Sequence, residues 1–322
     1  MSPTPTAAPS RAAAPPRTAD AARSFEACAA TVRARARNFY HGLRLCPEPR
    51  RSAVYAIYAW MRFGDDLADG DGPLAERAEA LAEFRRATDV VLDGGPAPDH
   101  GHWPAFAATL RAYPVRRDWI EGMMEGLAED LDHRGYATLG DLRGYCERVA
   151  STVGLTCVSI WGLRPGADAD SAETLARRRG VAFQLTNILR DVGEDGGLSP
   201  GRVYIPRDVL ARHGLSGPAL TRWESPLACE ALVRELASTA EAEYAASRGL
   251  ERLVAADCAP VLWTMTAIYR GVLAEVARRP DVAVRGGPAR LPSWRKGLIA
   301  ARAVLARGAA VRPWEVAAGE RR

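Results

Sequence analysis

Two rows of oxygen-bearing side chains in apolar segments constrain this chain more than any other feature. Within residues 184–206, Asn187, Asp191 and Asp195 recur at i, i+4 and i+8, so an α-helix stacks all three on one face. Val181, Ala182, Leu185, Ile188, Leu189 and Val192 surround that stripe with apolar surface. A solvated helix face would mix acids with lysine or arginine at these spacings. This stripe holds oxygen ligands only, which suits a hard cation such as Mg²⁺. Residues 58–69 carry a second row, with Asp65 and Asp69 at i, i+4 and Asp66 beside them. Taken alone, the stretch at 184–206 reads equally well as an ordinary acidic helix end. Together they make poor core material, because unpaired buried charge is costly. Facing each other across a helical bundle, the rows would hold metal ions, as inward carboxylates do in other bundles. The metals would in turn hold a polyanion.

Other segments extend the pattern. Asp-Asp-Leu-Ala-Asp (65–69) and Asn-Ile-Leu-Arg-Asp-Val-Gly-Glu-Asp (187–195) resemble the two aspartate-rich motifs of the squalene/phytoene synthase family. Arg202-Val-Tyr-Ile-Pro206 is similar to the segment after the second motif. Asn38-Phe39-Tyr40 with Leu45-Cys46-Pro47, and Tyr145–Ala150 with Val153-Gly154, match further family segments in the same order. The resemblance covers roughly residues 35–305 and implies an all-α, isoprenoid-synthase-type bundle with a central apolar cavity. It also implies Mg²⁺-dependent, head-to-head condensation of two prenyl diphosphates, with Mn²⁺ the alternative metal.

Carried over residue by residue, the resemblance makes Asp65, Asp69, Asn187, Asp191 and Asp195 the metal ligands. Arg37, Asn38, Arg62, Gln184, Arg190 and Arg202 become candidates for the substrate diphosphates; a guanidinium fork suits that ligand. Charge-balancing salt bridges are the plainer role for Arg62 and Arg190, and serine is the family's more usual residue at Asn38. Tyr145 matches a tyrosine proposed to transfer a proton, and Asp130 and Tyr136 match recurring positions. The implied substrates are farnesyl or geranylgeranyl diphosphate. A C30 squalene-type product is the first reading and phytoene the alternative. A non-catalytic assembly or binding protein is the rival of another class. A head-to-tail prenyltransferase or terpene cyclase fits the Tyr145 and Arg202 segments poorly. No Gly-x-Gly-x-x-Gly fingerprint occurs, which counts against NADPH and a reduced product, although reducing family members lack that fold too.

Composition bounds the rest. With 48% hydrophobic and 25% charged residues, the chain has the balance of a soluble globular protein. A net charge of +4 is too small to argue for nucleic acid. Cys28, Cys46, Cys146, Cys157, Cys229 and Cys258 are scattered with no Cys-x-x-Cys, which reads as reduced thiols in a cytoplasmic protein. The five histidines form no metal pattern. Residues 1–23 read as a disordered leader without a secretory apolar run, residues 24–310 as one domain and residues 311–322 as a tail.

Helices are expected over residues 24–43, 50–69, 75–92, 103–113, 115–133, 139–163 and 168–195. A short one after Pro206 is ended by Gly214, and helices over 226–250, 257–279 and 292–307 follow. No alternating pattern predicts a sheet, and no apolar run reaches the roughly 20 residues of a membrane span. Phe39, Phe63, Phe183, Leu185 and Trp161 are candidates to line an isoprenoid pocket. Ala150 and Gly154 permit either close helix packing or a narrow tunnel. From Arg270 onward basic residues outnumber acids, so peripheral binding at the inner face of a membrane is expected. Nothing in the sequence bears on oligomeric state.

Overall fold

Proline and capping side chains set where the helices begin. Pro104, Pro226 and Pro260 stand in the first turn of their helices, where a missing N–H costs nothing. Thr138 and Asp141 form a reciprocal capping box, and Asp168 accepts from the backbone of Ser171, satisfying donors that the first turn leaves open.

The computed structural model describes residues 19–197, 201–285, 287 and 289–305. Its first half contains α1 (Ala19–Arg35), α2 (Arg37–Leu43), α3 (Arg50–Ala68), α4 (Leu74–Leu92), α5 (Trp103–Ala112) and α6 (Arg117–Leu131). The middle contains α7 (Leu139–Cys146), a π-helical turn (Glu147–Ser151), α8 (Thr152–Trp161) and α9 (Ala169–Gly196). Short α10 (Arg207–Arg212) and α11 (Gly217–Thr221) lead to α12 (Pro226–Ala246), α13 (Leu250–Leu253), α14 (Ala259–Arg278), α15 (Pro280–Arg285) and α16 (Ser293–Leu305). Among the described residues the only β pairing is an isolated bridge between Leu163 and Val254. The all-α expectation is borne out.

Several boundaries differ from the sequence reading, and the helix expected over 226–250 ends at Ala246. Helix α1 starts at Ala19, inside the stretch read as leader, because Phe25, Cys28 and Val32 give it a buried face. The helix expected over 24–43 breaks at Ala36. That expected over 139–163 is interrupted by the π turn. Residues 1–18 and the tail at 311–322 lie outside the described residues.

Helix α9, about 42 Å long at 1.5 Å per residue, packs on α8, α12, α14, α15 and the π turn. Two glycines let it do so. A Cβ on Gly180 would lie 2.4 Å from Cα of Ser151, and one on Gly193 would lie 2.0 Å from the carbonyl oxygen of Val284. Any side chain there would force the neighbouring backbone away.

Two apolar cores flank the molecule's interior. One centres on Trp60, whose ring stacks on Phe106 at 4.8 Å; burying Phe106 contributes about 1.5–3 kcal/mol. The other gathers Leu189, Tyr145 and Tyr269. Phe39, Leu45 and Phe183 touch both. A cavity of about 1280 Å³ is walled by residues of both cores, larger than the roughly 300–1,000 Å³ of most ligand pockets.

Candidate functional site

Helix α3 ends on Asp69, whose N–H donates to the carbonyl of Asp65 at 2.8 Å, and so presents both carboxylates from its last turn. Helix α9 presents Asn187, Asp191 and Asp195 from its own last turns. Both rows line the same cavity, together with Asn38, Arg62, Tyr145, Gln184, Arg190 and Arg202. Arg37 opens α2, but its side chain lies outside the described residues.

Arginines already neutralise part of the acid. Arg202 reaches Asp69 at 2.8 Å, and Arg190 grips Asp191 at 2.7 Å. Arg62 lies 2.7 Å from Asp66 and 3.6 Å from Asp65. The backbone N–H of Arg202 donates to the carbonyl of Asp195 at 2.8 Å, tying that arginine to the second row. What remains is still crowded with negative charge. Dehydration pushes Asp65 up to about 7, against the pull of Arg62 and reinforced by Asp69 and Asp130. Asp195 is pushed to about 7 by dehydration and by Asp191, with Arg202 opposing. Dehydration raises Asp130 to about 6 despite hydrogen bonds from Tyr145 and Tyr204.

These residues fit a divalent cation. Asn187 donates its Nδ2 to Gln184 at 3.2 Å, while its buried Oδ1 has no hydrogen-bond partner. An unpartnered buried acceptor costs about 1–3 kcal/mol, and a cation at that oxygen would remove the cost. Among the described residues no three His, Cys, Asp or Glu side chains converge into a ready-made metal cage. The rows therefore offer partial coordination.

Tyr145 donates to both oxygens of Asp130, at 2.8 and 3.0 Å, and Tyr204 donates to one of them at 2.9 Å. The two rings stack at 5.4 Å. Burial holds the Tyr145 hydroxyl well above its usual range, so it is a neutral proton donor. Asp130 lines the cavity as well, which brings it closer to the chemistry than a purely structural residue.

The pocket expectations divide. Phe39, Phe183 and Trp161 line the cavity, as do Ala150 and Gly154. Phe63 instead packs on Phe84 and His102 with 42% of its surface exposed, and Leu185 is buried in the second core. Both point away because they lie on the opposite sides of α3 and α9 from the acid rows. Sequence reasoning missed three cations on the cavity wall, Arg179, Arg290 and Lys296. Arg179 is 3% exposed and donates to Glu251 at 2.6 Å and to Ser247 at 2.8 Å. Lys296, the chain's only lysine, is held below its ordinary range by dehydration and by Arg290 and Arg190. Its singularity was the available signal. All six cysteines are free and buried, as expected.

Comparison with known proteins agrees with this geometry. Phytoene synthase 1, chloroplastic, of Arabidopsis thaliana is 37% identical over 269 residues, covering 79% of this chain and 60% of that protein. The match thus spans less than two thirds of that relative's length. Presqualene diphosphate synthase of Rhodopseudomonas palustris is 37% identical over 228 residues, 68% of this chain and 77% of the relative. The crystal structure of a dehydrosqualene synthase in complex with ligand superposes with a TM-score of 0.76 at 27% identity, covering 89% of this chain and 97% of that one. The model of the family described as squalene/phytoene synthase matches residues 32–295. With most of its length inside that match, the chain belongs to the squalene/phytoene synthase family.

Proposed function

We propose that the chain is a prenyltransferase that joins two prenyl diphosphates head to head. The observation that carries this reading is that the α3 and α9 acid rows both line one large cavity, lined elsewhere by side chains such as Ile57, Met123, Val153, Leu262 and Met265. Asp65, Asp69, Asn187, Asp191 and Asp195 would hold Mg²⁺, or Mn²⁺ in its place, which supplies Lewis-acid neutralisation of the diphosphate charge.

Arg62, Arg190 and Arg202 bind and orient the diphosphates, with Arg37, Asn38 and Gln184 beside them. The arginines reach the anion by exchanging a carboxylate partner for it, and their planar forks fit its oxygens. The C–O bond of the first donor breaks, leaving an allylic cation and diphosphate. The double bond of the second donor attacks that cation, and loss of a proton closes a cyclopropylcarbinyl diphosphate. The apolar wall keeps water from the cation, which would otherwise become an alcohol. Tyr145 takes the proton lost in ring closure on its hydroxyl oxygen as it passes its own to Asp130, to which it is hydrogen-bonded.

Two farnesyl diphosphates giving presqualene diphosphate or a C30 hydrocarbon is our reading of the substrate. Two geranylgeranyl diphosphates giving phytoene is the alternative, favoured by relatives such as 15-cis-phytoene synthase of Synechococcus elongatus, 32% identical over 288 residues. Retention of both acid rows on the cavity weighs against a non-catalytic role. A cytoplasmic site of action is supported by six free, buried thiols.

Purified protein incubated with Mg²⁺ and each diphosphate, with and without NADPH, tests the reading by mass spectrometry of the extract. A cyclopropylcarbinyl diphosphate or C30 polyene from the C15 donor is expected. A C40 triene from the C20 donor alone overturns the substrate choice, and an elongated linear diphosphate overturns the head-to-head assignment.

A further inference from the structure

Helix α16 buries Ile299, Ala300 and Ala303 against α14 and α2. Its other side faces solvent and consists of Trp294, Gly297, Leu298, Ala301, Arg302 and Leu305, spaced i, i+3, i+4, i+7, i+8 and i+11. Trp294 is 70% exposed, Leu298 50% and Leu305 86%. Single exposed apolar residues are ordinary on a protein surface, but a continuous stripe marks a contact face. This one runs about 16 Å along the helix.

Charge identifies what the stripe meets. Between Asp281 and Glu315 the chain carries seven basic residues and no acid. A second copy docking through the same face would set these like charges against one another. An anionic bilayer complements them, and an amphipathic helix with basic flanks, a tryptophan and leucines lies in the headgroup region of such a surface. Position agrees as well. Arg290, Pro292, Ser293 and Lys296, in and just before the first turn of α16, are part of the cavity wall, so the stripe begins beside the cavity.

We propose that α16 docks the protein on anionic membranes, with Trp294, Leu298 and Leu305 inserted among the lipids and the cavity wall that adjoins α16 held at the membrane surface. On the proposed function, which this consequence alone depends on, a prenyl chain then passes between cavity and bilayer without crossing water.

Co-sedimentation of the full chain with phosphatidylcholine vesicles, with and without phosphatidylglycerol, tests the docking and needs no substrate. Its failure therefore leaves the prenyltransferase reading untouched. The wild type is expected to sediment with the anionic vesicles, less so at high salt. Trp294→Ser/Leu298→Ser, which changes only exposed side chains outside the cavity wall, should lower the bound-to-free ratio at least about tenfold. Gly297→Glu is a second variant; a Cβ there meets open space, so it puts a carboxylate in the stripe and should lower the bound-to-free ratio likewise. Equal sedimentation of wild type and variants overturns the proposal, as does indifference to anionic lipid. A concentration-dependent dimer that the double variant dissolves would also overturn it, assigning the face to a second copy.

Discussion

Asp65 and Asp195 are carboxylates that water no longer fully serves, each pushed up to about 7. A metal must displace their protons to bind, so Mg²⁺ affinity should rise as pH passes from about 6 to 8. Isothermal titration calorimetry across that range checks it, and a flat profile would remove these two residues from the ligand set. His102 shows the opposite case. Dehydration holds its imidazole down to about 4 from an ordinary 6.5, and its Nε2 has no hydrogen-bond partner. The unfolded chain therefore takes up the proton first, so the stability this group contributes is complete above about 6.5 and drains away as pH falls toward 4. The loss amounts to roughly 3 kcal/mol. His102→Leu should flatten that part of the pH–Tm curve, whereas parallel curves for wild type and variant would refute the assignment. This shift was not legible in the chain, since two of the rings around His102, Phe63 and Phe84, come from α3 and α4.

Helix α9 combines tight packing with the second acid row. Its extent was legible because Asp168 caps its start and the oxygen row keeps helical spacing to its end. The π turn was not legible, because Glu147–Ser151 contains neither proline nor glycine. Its cause is tertiary: Gly180 admits the Ser151 backbone, and Ser151 donates to the carbonyl of Arg177 at 2.6 Å. π bulges often stand at functional sites, and here the turn places Val149 and Ala150 on the cavity wall. Gly193 lies between Asp191 and Asp195 and touches the backbone of Val284. Gly193→Ala should therefore cost about 1–3 kcal/mol through overpacking, while also shifting the second row. Thermal denaturation reads the first effect and turnover the second. A variant with wild-type Tm and turnover would show that α15 yields freely.

Across the whole molecule, residues more than a hundred positions apart in sequence become one site because α3 and α9 wall the same cavity between two cores. The rows themselves were legible, since helical spacing, and in the second row a stripe of oxygen ligands only, are properties of a single chain segment. Arg290 and Lys296 were not, because only the return of the chain before α16 brings them to the cavity wall that Arg190 also lines. Arg179 was hidden for a related reason: its partners Ser247, Glu251 and Thr266 come from later helices. The central claim is that the two rows together make an allylic diphosphate leave. The most direct measurement is release of pyrophosphate from farnesyl and geranylgeranyl diphosphate by wild type and Asp191→Ala, in Mg²⁺ and in excess chelator. Release by the wild type that vanishes on chelation and falls at least about 10²-fold in the variant is the predicted result; undiminished release by the variant, or by wild type in chelator, would contradict the account.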